Sequence, residues 1–360
     1  MPAPTRTIQI SHSVMQRIRA GVWKSEDLLP TERELADQWK VSRNTVRAAL
    51  RNLEERGILH AVQGSGRRVR SGHLLNAARI GLLTRQGIVN TGQAARYAQG
   101  ITEQIEALGH HTITFAINVS KRQVVDADSW RQADFNLLDG AIVIAFQYED
   151  QIVAKLANHI PTVVVARDSS AVGVPSFFVD LGFHAADAVR RLAALGHRRI
   201  AVIVPGLDRK PTLNTMVRRG FDLGRHWEGL PIDPEAIITE PREEDLAHDL
   251  SDLYQQWRSQ DFPFTAVIAI YEASLTHLVQ ASRSAGDDLT QRMAMVCLSD
   301  LSNRQDMAAS FAHYLTPIEQ IGRDAVQCLH DSLHGKQPRT LDHPYYGTLQ
   351  PCQTFVSCPR

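Results

Sequence analysis

From residue 79 onward the sequence alternates short apolar runs with amphipathic stretches, and it does so twice over. The first series predicts strands at 80–84, 112–117, 141–145 and 162–166, and the second at 200–204, 236–239, 266–270 and 293–298, with helical patterns between them. Most of these runs are short and apolar, so both of their faces must be covered. Strand–helix alternation supplies the cover: parallel sheets with helices packed on each side. The stretch is too long for one small core, which implies two doubly wound lobes with a ligand cleft at the carboxyl ends of their strands. Chain crossovers between the lobes are expected near 175–182, 299–310 and 335–345.

The first seventy residues follow a different pattern. Ile10, Val14, Ile18 and Val22 form one apolar stripe of a first helix, frayed at Gly21. Thr31-Glu32-Arg33-Glu34 is a capping box that opens a second helix running to about Trp39. Ser42 caps a third, which turns Val46, Ala49, Leu50 and Leu53 inward and stops at Gly57. Two short helices across a tight turn make a helix-turn-helix. Arg43, Asn44 and Arg47 fall opposite the apolar stripe at the start of the third helix, the end that enters a major groove. Arg can pair with guanine and Asn with adenine, while Ser42, Thr45 and the free N–H groups of the helix start suit phosphate oxygens. Two strands, 58–62 and 67–70, flank Gln63-Gly64-Ser65-Gly66 and form a wing.

Charge sharpens the division. Residues 1–70 hold 13 Lys/Arg against 7 Asp/Glu, whereas the rest holds 26 against 32, so a net charge of zero conceals a basic head on an acidic body. Such a head suits a polyanion; charge alone leaves nucleic acid and membrane surface tied.

Leu29-Pro30-Thr31-Glu32-Arg33-Glu34-Leu35-Ala36, Val41 to Leu50, Gly57-Ile58-Leu59 and Gly64-Ser65-Gly66-Arg67-Arg68-Val69 together resemble the DNA-binding domain of the GntR family of bacterial regulators. The resemblance implies DNA contacts from Arg33, Arg43, Arg47, Gln63 and Gly64, with Ser42 and Thr45 on phosphates. Arg67 stands where the family usually has Thr. The expected division is a winged-helix domain over 1–70, a linker over 71–78 and an effector-binding and dimerisation domain over 79–360.

That last domain resembles the effector domain of LacI/GalR-type repressors, similar to periplasmic sugar-binding proteins. The marks include Ile80-Gly81-Leu82-Leu83, Leu138-Asp139-Gly140-Ala141-Ile142, Leu195-Gly196-His197-Arg198-Arg199-Ile200, Gly220-Phe221 and Pro317 to Ala325. The family's effector-gripping Arg, three residues before Gly-Phe, is Val217 here, with Arg218 one step late; its cleft Asp is Glu272, preceded by Tyr271. Arg85, Gln147, Arg167 and Asp300 follow predicted strands and offer the polar groups a hydrophilic ligand requires. His197 reads as the end of a helix-to-strand turn rather than a catalytic group.

These readings lead to a ligand-responsive regulator, with repression relieved by a sugar-like effector as the default. Its partners would be a palindromic double-stranded operator and a second copy of the chain. Catalytic, metal and cofactor sites are not expected: the sequence lacks a Gly-x-Ser-x-Gly elbow, a phosphate-binding loop and a His-Glu-x-x-His helix. The alternative is a GntR-type regulator with an enzyme-derived or non-sugar-sensing body. An aminotransferase-like body needs a Schiff-base lysine, and after residue 78 only Lys121, Lys155, Lys210 and Lys336 remain. Cys297, Cys328, Cys352 and Cys358 read as reduced thiols. No apolar run approaches the roughly 18 residues of a membrane span and the start lacks a secretory signal, so a cytoplasmic protein without membrane contact is expected.

Overall fold

The computed structural model describes residues 6–19, 21–62, 64, 66–70, 77–85, 92–117, 119–120, 123–124, 138–145, 150–206, 211–231, 233–240, 246–302, 309–352, 354–355 and 357–358. The chain divides into two compact units, Met1–Phe178 with Ile318–Pro344, and Val179–Pro317 with Tyr345–Arg360.

The first unit begins with helices α1 (Arg6–Arg19), α2 (Glu32–Trp39) and α3 (Arg43–Glu55), followed by an antiparallel hairpin of β1 (Leu59–Val62) and β2 (Gly66–Val69). Ile10, Val14, Met15 and Ile18 of α1, Leu35 and Ala36 of α2, and Val46, Ala49, Leu50 and Leu53 of α3 share one apolar cluster with Leu59 and Val69 of the hairpin. Val22, expected on the first stripe, does not join it. The helix ends at Arg19, Gly21 takes a left-handed φ of 72°, and Val22 is left 59% exposed.

The same unit contains a six-stranded sheet in the order β15-β9-β8-β7-β3-β4. Its members are β3 (Arg79–Arg85), β4 (His111–Ile117), β7 (Gly140–Ile144), β8 (Thr162–Val165), β9 (Ser176–Val179) and β15 (Asp342–Tyr345); β5 (Val119–Ser120) and β6 (Gln123–Val124) make a separate small hairpin. The pairs from β4 through β3, β7 and β8 to β9 are parallel. Helices α4 (Gly92–Ala107), α5 (Asp150–Ala157) and α10 (Ile318–Leu333) belong to this unit. Every residue of β7 and β8 is buried, as a strand covered on both faces requires, while the edge strand β15 alternates and the edge strand β4 is buried only at Ile117.

The second unit repeats the plan. Its sheet runs β11-β10-β12-β13-β14-β16, built from β10 (Ile200–Pro205), β11 (Ile237–Glu240), β12 (Ala266–Ala269), β13 (Ala294–Cys297), β14 (Ala312–Leu315) and β16 (Thr348–Gln350). All its pairs are parallel except β14 with β16. Helices α6 (Leu181–Ala194), α7 (Pro211–Trp227), α8 (Leu246–Ser259) and α9 (Glu272–Ser284) accompany it. The strand expected at 236–239 starts one residue later, because Ala236 closes a 3-10 turn over Pro234–Ala236. His197 is fully buried, with its Nδ1 3.0 Å from the Thr265 hydroxyl. All four cysteines are thiols rather than disulfides.

In each unit a pair of helices is pressed close enough that only glycine fits. In the second, a Cβ on Gly220 of α7 would lie 1.9 Å from the carbonyl oxygen of Gly182 in α6. In the first, a Cβ on Gly100 of α4 would lie 2.0 Å from the carbonyl oxygen of Glu319 in α10. Backbone atoms cannot swing aside as a side-chain tip can, so Gly220→Ala should destabilise the second unit by about 1–3 kcal/mol or more. Urea unfolding followed by circular dichroism checks this, and an unchanged midpoint contradicts so close an approach.

Candidate nucleic-acid interface

Local hydrogen bonding sets the two helices of the reading motif. Thr31 caps α2: its Oγ1 accepts the Glu34 N–H at 3.3 Å, while Glu34 Oε2 accepts the Thr31 N–H at 2.8 Å. These bonds from Thr31 hold the Glu34 carboxyl below its usual range. Lys40 then adopts a left-handed φ of 52° and donates its N–H back to the end of α2, which turns the chain. Ser42 caps α3 by accepting the Thr45 N–H at 3.1 Å, and the two hydroxyls lie 2.7 Å apart. Both hydroxyls are thus engaged with each other at the helix start, where backbone N–H groups and the helix dipole favour an anion.

With Val46, Ala49, Leu50 and Leu53 buried, the opposite side of α3 faces outward. Arg43, Asn44 and Arg47 are exposed, as is Arg33 on α2, and Thr45 is half-buried. Gly64, at the tip of the β1–β2 hairpin, is exposed with a left-handed φ of 75°. Gln63 lies outside the described residues.

Sequence reasoning missed the acidic partners of this surface. Glu32 receives Arg47 in a fork, with Arg47 Nε 3.0 Å and Nη2 2.8 Å from Glu32 Oε2. Its other oxygen accepts Arg67 Nη1 at 2.9 Å, and Arg67 Nε donates to Glu54 at 2.7 Å. One carboxylate therefore positions a helix arginine and a wing arginine together. Hydrogen bonding from Arg47, outweighing a burial effect of opposite sign, holds the Glu32 pKa below its ordinary value. Arg67 thus braces the wing against α2 and α3. The Glu32 bonds occupy Nε and Nη2 of Arg47 and leave Nη1 for an outside acceptor.

The proposed effector residues divide between the two units. In the first, Arg85 ends β3, and Arg167 follows β8 with its guanidinium on Asp150 and 3.3 Å from the Ser169 hydroxyl. In the second, Tyr271 caps α9, Glu272 is its first residue after β12, and Arg218 is half-buried on α7. Asp300, 4% exposed beyond β13, accepts the Ser302 N–H on one oxygen and the N–H and hydroxyl of Thr316 on the other. Gln147 lies outside the described residues. Among the described residues, no cluster of three or more His, Cys, Asp or Glu could hold a metal ion, and no helix is long and apolar enough to cross a membrane.

Two sequence families match. Residues 7–69 match "Bacterial regulatory proteins, gntR family", and residues 189–346 match "Periplasmic binding protein-like domain". The arabinose metabolism transcriptional repressor of Geobacillus stearothermophilus is 24% identical over 337 residues, covering 89% of each chain. The mannosyl-D-glycerate transport/metabolism system repressor MngR of Escherichia coli is 48% identical over 58 residues, 16% of this chain and 24% of its own. Among solved structures, the transcription regulator CcpA of Lactococcus lactis matches with a TM-score of 0.63 at 13% identity, over 79% of this chain and 100% of its own. The transcriptional regulator CelR in its cellobiose complex matches with a TM-score of 0.64 at 17% identity, over 91% and 100%. This chain thus carries a GntR-family DNA-binding domain followed by a periplasmic-binding-protein-like domain.

Proposed function

We propose that this protein is a cytoplasmic, non-catalytic transcriptional repressor that grips operator DNA through α2, α3 and the wing and loses that grip when a small polar effector binds its body. The observation that carries the reading is the outward row of Arg43, Asn44 and Arg47 on the first turns of α3, in a winged helix attached to a periplasmic-binding-protein-like body. An α-helix entering the major groove by its N-terminal end presents such side chains to base edges. Arg33, Gln63 and Gly64 add further DNA contacts, and Ser42 and Thr45 take phosphates.

The effector is a sugar or related metabolite. A repressor of arabinose metabolism and a regulator solved with cellobiose are among the similar proteins, and this supports a carbohydrate over the enzyme-derived alternative. Arg85, Gln147, Arg167, Arg218, Tyr271, Glu272 and Asp300 supply the charge and hydrogen bonding that hydroxyl groups require. The active species is a homodimer on a palindromic operator, since one winged head buries too little surface for adequate specificity.

Two measurements test this. Selection of duplexes by the full chain from a random pool should return a two-fold symmetric consensus, and on that duplex Arg43→Ala should cost about 1–3 kcal/mol of binding, read by fluorescence anisotropy. An unchanged affinity removes Arg43 from base readout. A thermal-shift series over L-arabinose, D-ribose, D-glucose and cellobiose should contain a sugar that raises the melting temperature and weakens DNA binding. A sugar that binds without altering DNA affinity contradicts the coupling.

A further inference from the structure

Away from the reading surface, the winged head meets the first sheet through a buried cluster of charges. Arg19, the last residue of α1, places Nη2 3.2 Å from Asp139 Oδ2, with side chains only 2% and 3% exposed. Arg56, the residue that caps α3, donates through Nη2 to Asp139 Oδ1, and its side chain is 5% exposed. Asp139 immediately precedes β7 and is itself tied to the start of β3: its Oδ2 accepts the Arg79 N–H at 2.8 Å, and its own N–H donates to the Arg79 carbonyl at 2.8 Å. A continuous set of polar contacts thus runs from the far end of the recognition helix into two neighbouring strands of the body.

The charges in this cluster do not balance. Two guanidiniums share one carboxylate, and Nε of both Arg19 and Arg56 is buried without an acceptor. His12 beside them adds no compensating anion; burial pushes its pKa down to about 4, so it is neutral at physiological pH. Burial opposes ionisation of Asp139, but Arg19 and Arg56 outweigh it and hold the carboxyl below its ordinary range. Desolvating three charges costs several kcal/mol per ion, and attraction offsets this only when every polar group is satisfied. Here three guanidinium nitrogens, Nε and Nη2 of Arg19 and Nε of Arg56, have no hydrogen-bond acceptor. Such a contact holds weakly enough to be released, unlike the apolar packing on either side of it.

We infer that Asp139 is the catch of a releasable clasp, through Arg56 and Arg19, that fixes the recognition helix to the sheet of the body and so carries conformational change between sensor and DNA reader. The clasp lies at the C-terminal end of α3, whereas Arg43, Asn44 and Arg47 lie at its N-terminal end. Docking therefore leaves the reading face open and determines its direction. In a dimer, heads held in a defined direction meet two half-sites with a high effective concentration, and released heads lose that advantage. This part of the inference rests on the DNA-binding reading above; the clasp itself does not.

The test compares the full-length chain with Asp139→Asn, Arg56→Met and Arg19→Met. Asp139→Asn leaves two unopposed cations and an oxygen still able to accept the Arg79 N–H; Arg56→Met attacks the clasp without touching the sheet. Both should raise hydrogen exchange at the ends of α1 and α3. Both should weaken binding to a two-half-site duplex by roughly 10- to 100-fold while leaving a single half-site unaffected. Arg19→Met removes the surplus cation and should keep the head docked. Unchanged exchange in both Asp139→Asn and Arg56→Met overturns the clasp, and so does exchange gained with no loss on the two-half-site duplex. Failure of the wild-type chain to bind any duplex would instead refute the DNA-binding reading, with the exchange data still deciding whether the clasp exists.

Discussion

Burial of Val46, Ala49, Leu50 and Leu53 determines which way the recognition helix faces, and everything proposed for the reading head depends on it. Each of the larger of these side chains is worth about 1.5–3 kcal/mol when removed from water. The Arg47–Glu32 pair lies at the surface, where solvent screens it and it contributes far less than the buried side chains. Packing therefore sets the rotation of α3, and the ion pair adjusts only the direction of one guanidinium. Once those four residues are inside, a period of 3.6 residues leaves Arg43, Asn44 and Arg47 no place but the outer face.

The same separation of strong and weak terms runs through the rest of the molecule. The two sheets rest on strands with no exposed residue, such as β7, β8, β12 and β13. Close helix pairs, meeting at Gly182 and Gly220 in one unit and at Gly100 and Glu319 in the other, leave each unit little room to deform internally. Motion in such a protein is drawn from its weaker contacts, and the imbalanced charges around Asp139 are one of these. A stiff sheet joined to a stiff head by an imbalanced polar contact has the properties that a two-state switch requires.

Much of this was legible because it is local. The Thr31–Glu34 capping box and the Ser42 cap involve residues three apart, and the buried strands of both sheets announce themselves as unbroken apolar runs. Short or edge strands gave no such signal: β15 contains Asp342 and Pro344, β16 has three residues, and β14 reads Ala-His-Tyr-Leu. The acidic partners were illegible for a related reason. Arg67 finds Glu54 13 residues away and Glu32 35 away, and Arg56 finds Asp139 83 away, so only the fold brings them together. For Asp300, a strand-end position was readable, but its engagement with Thr316 depends on the unread β14.

The central claim is that α3 reads base edges in a major groove. Dimethyl sulfate interference on a selected duplex tests it directly, since the reagent methylates guanine N7 in the major groove and adenine N3 in the minor. The account predicts that N7 methylation within each half-site blocks binding by the wild-type chain and that at least one blocked position is lost in Arg43→Ala. Interference confined to adenine N3, or the same guanine pattern in both proteins, would contradict it.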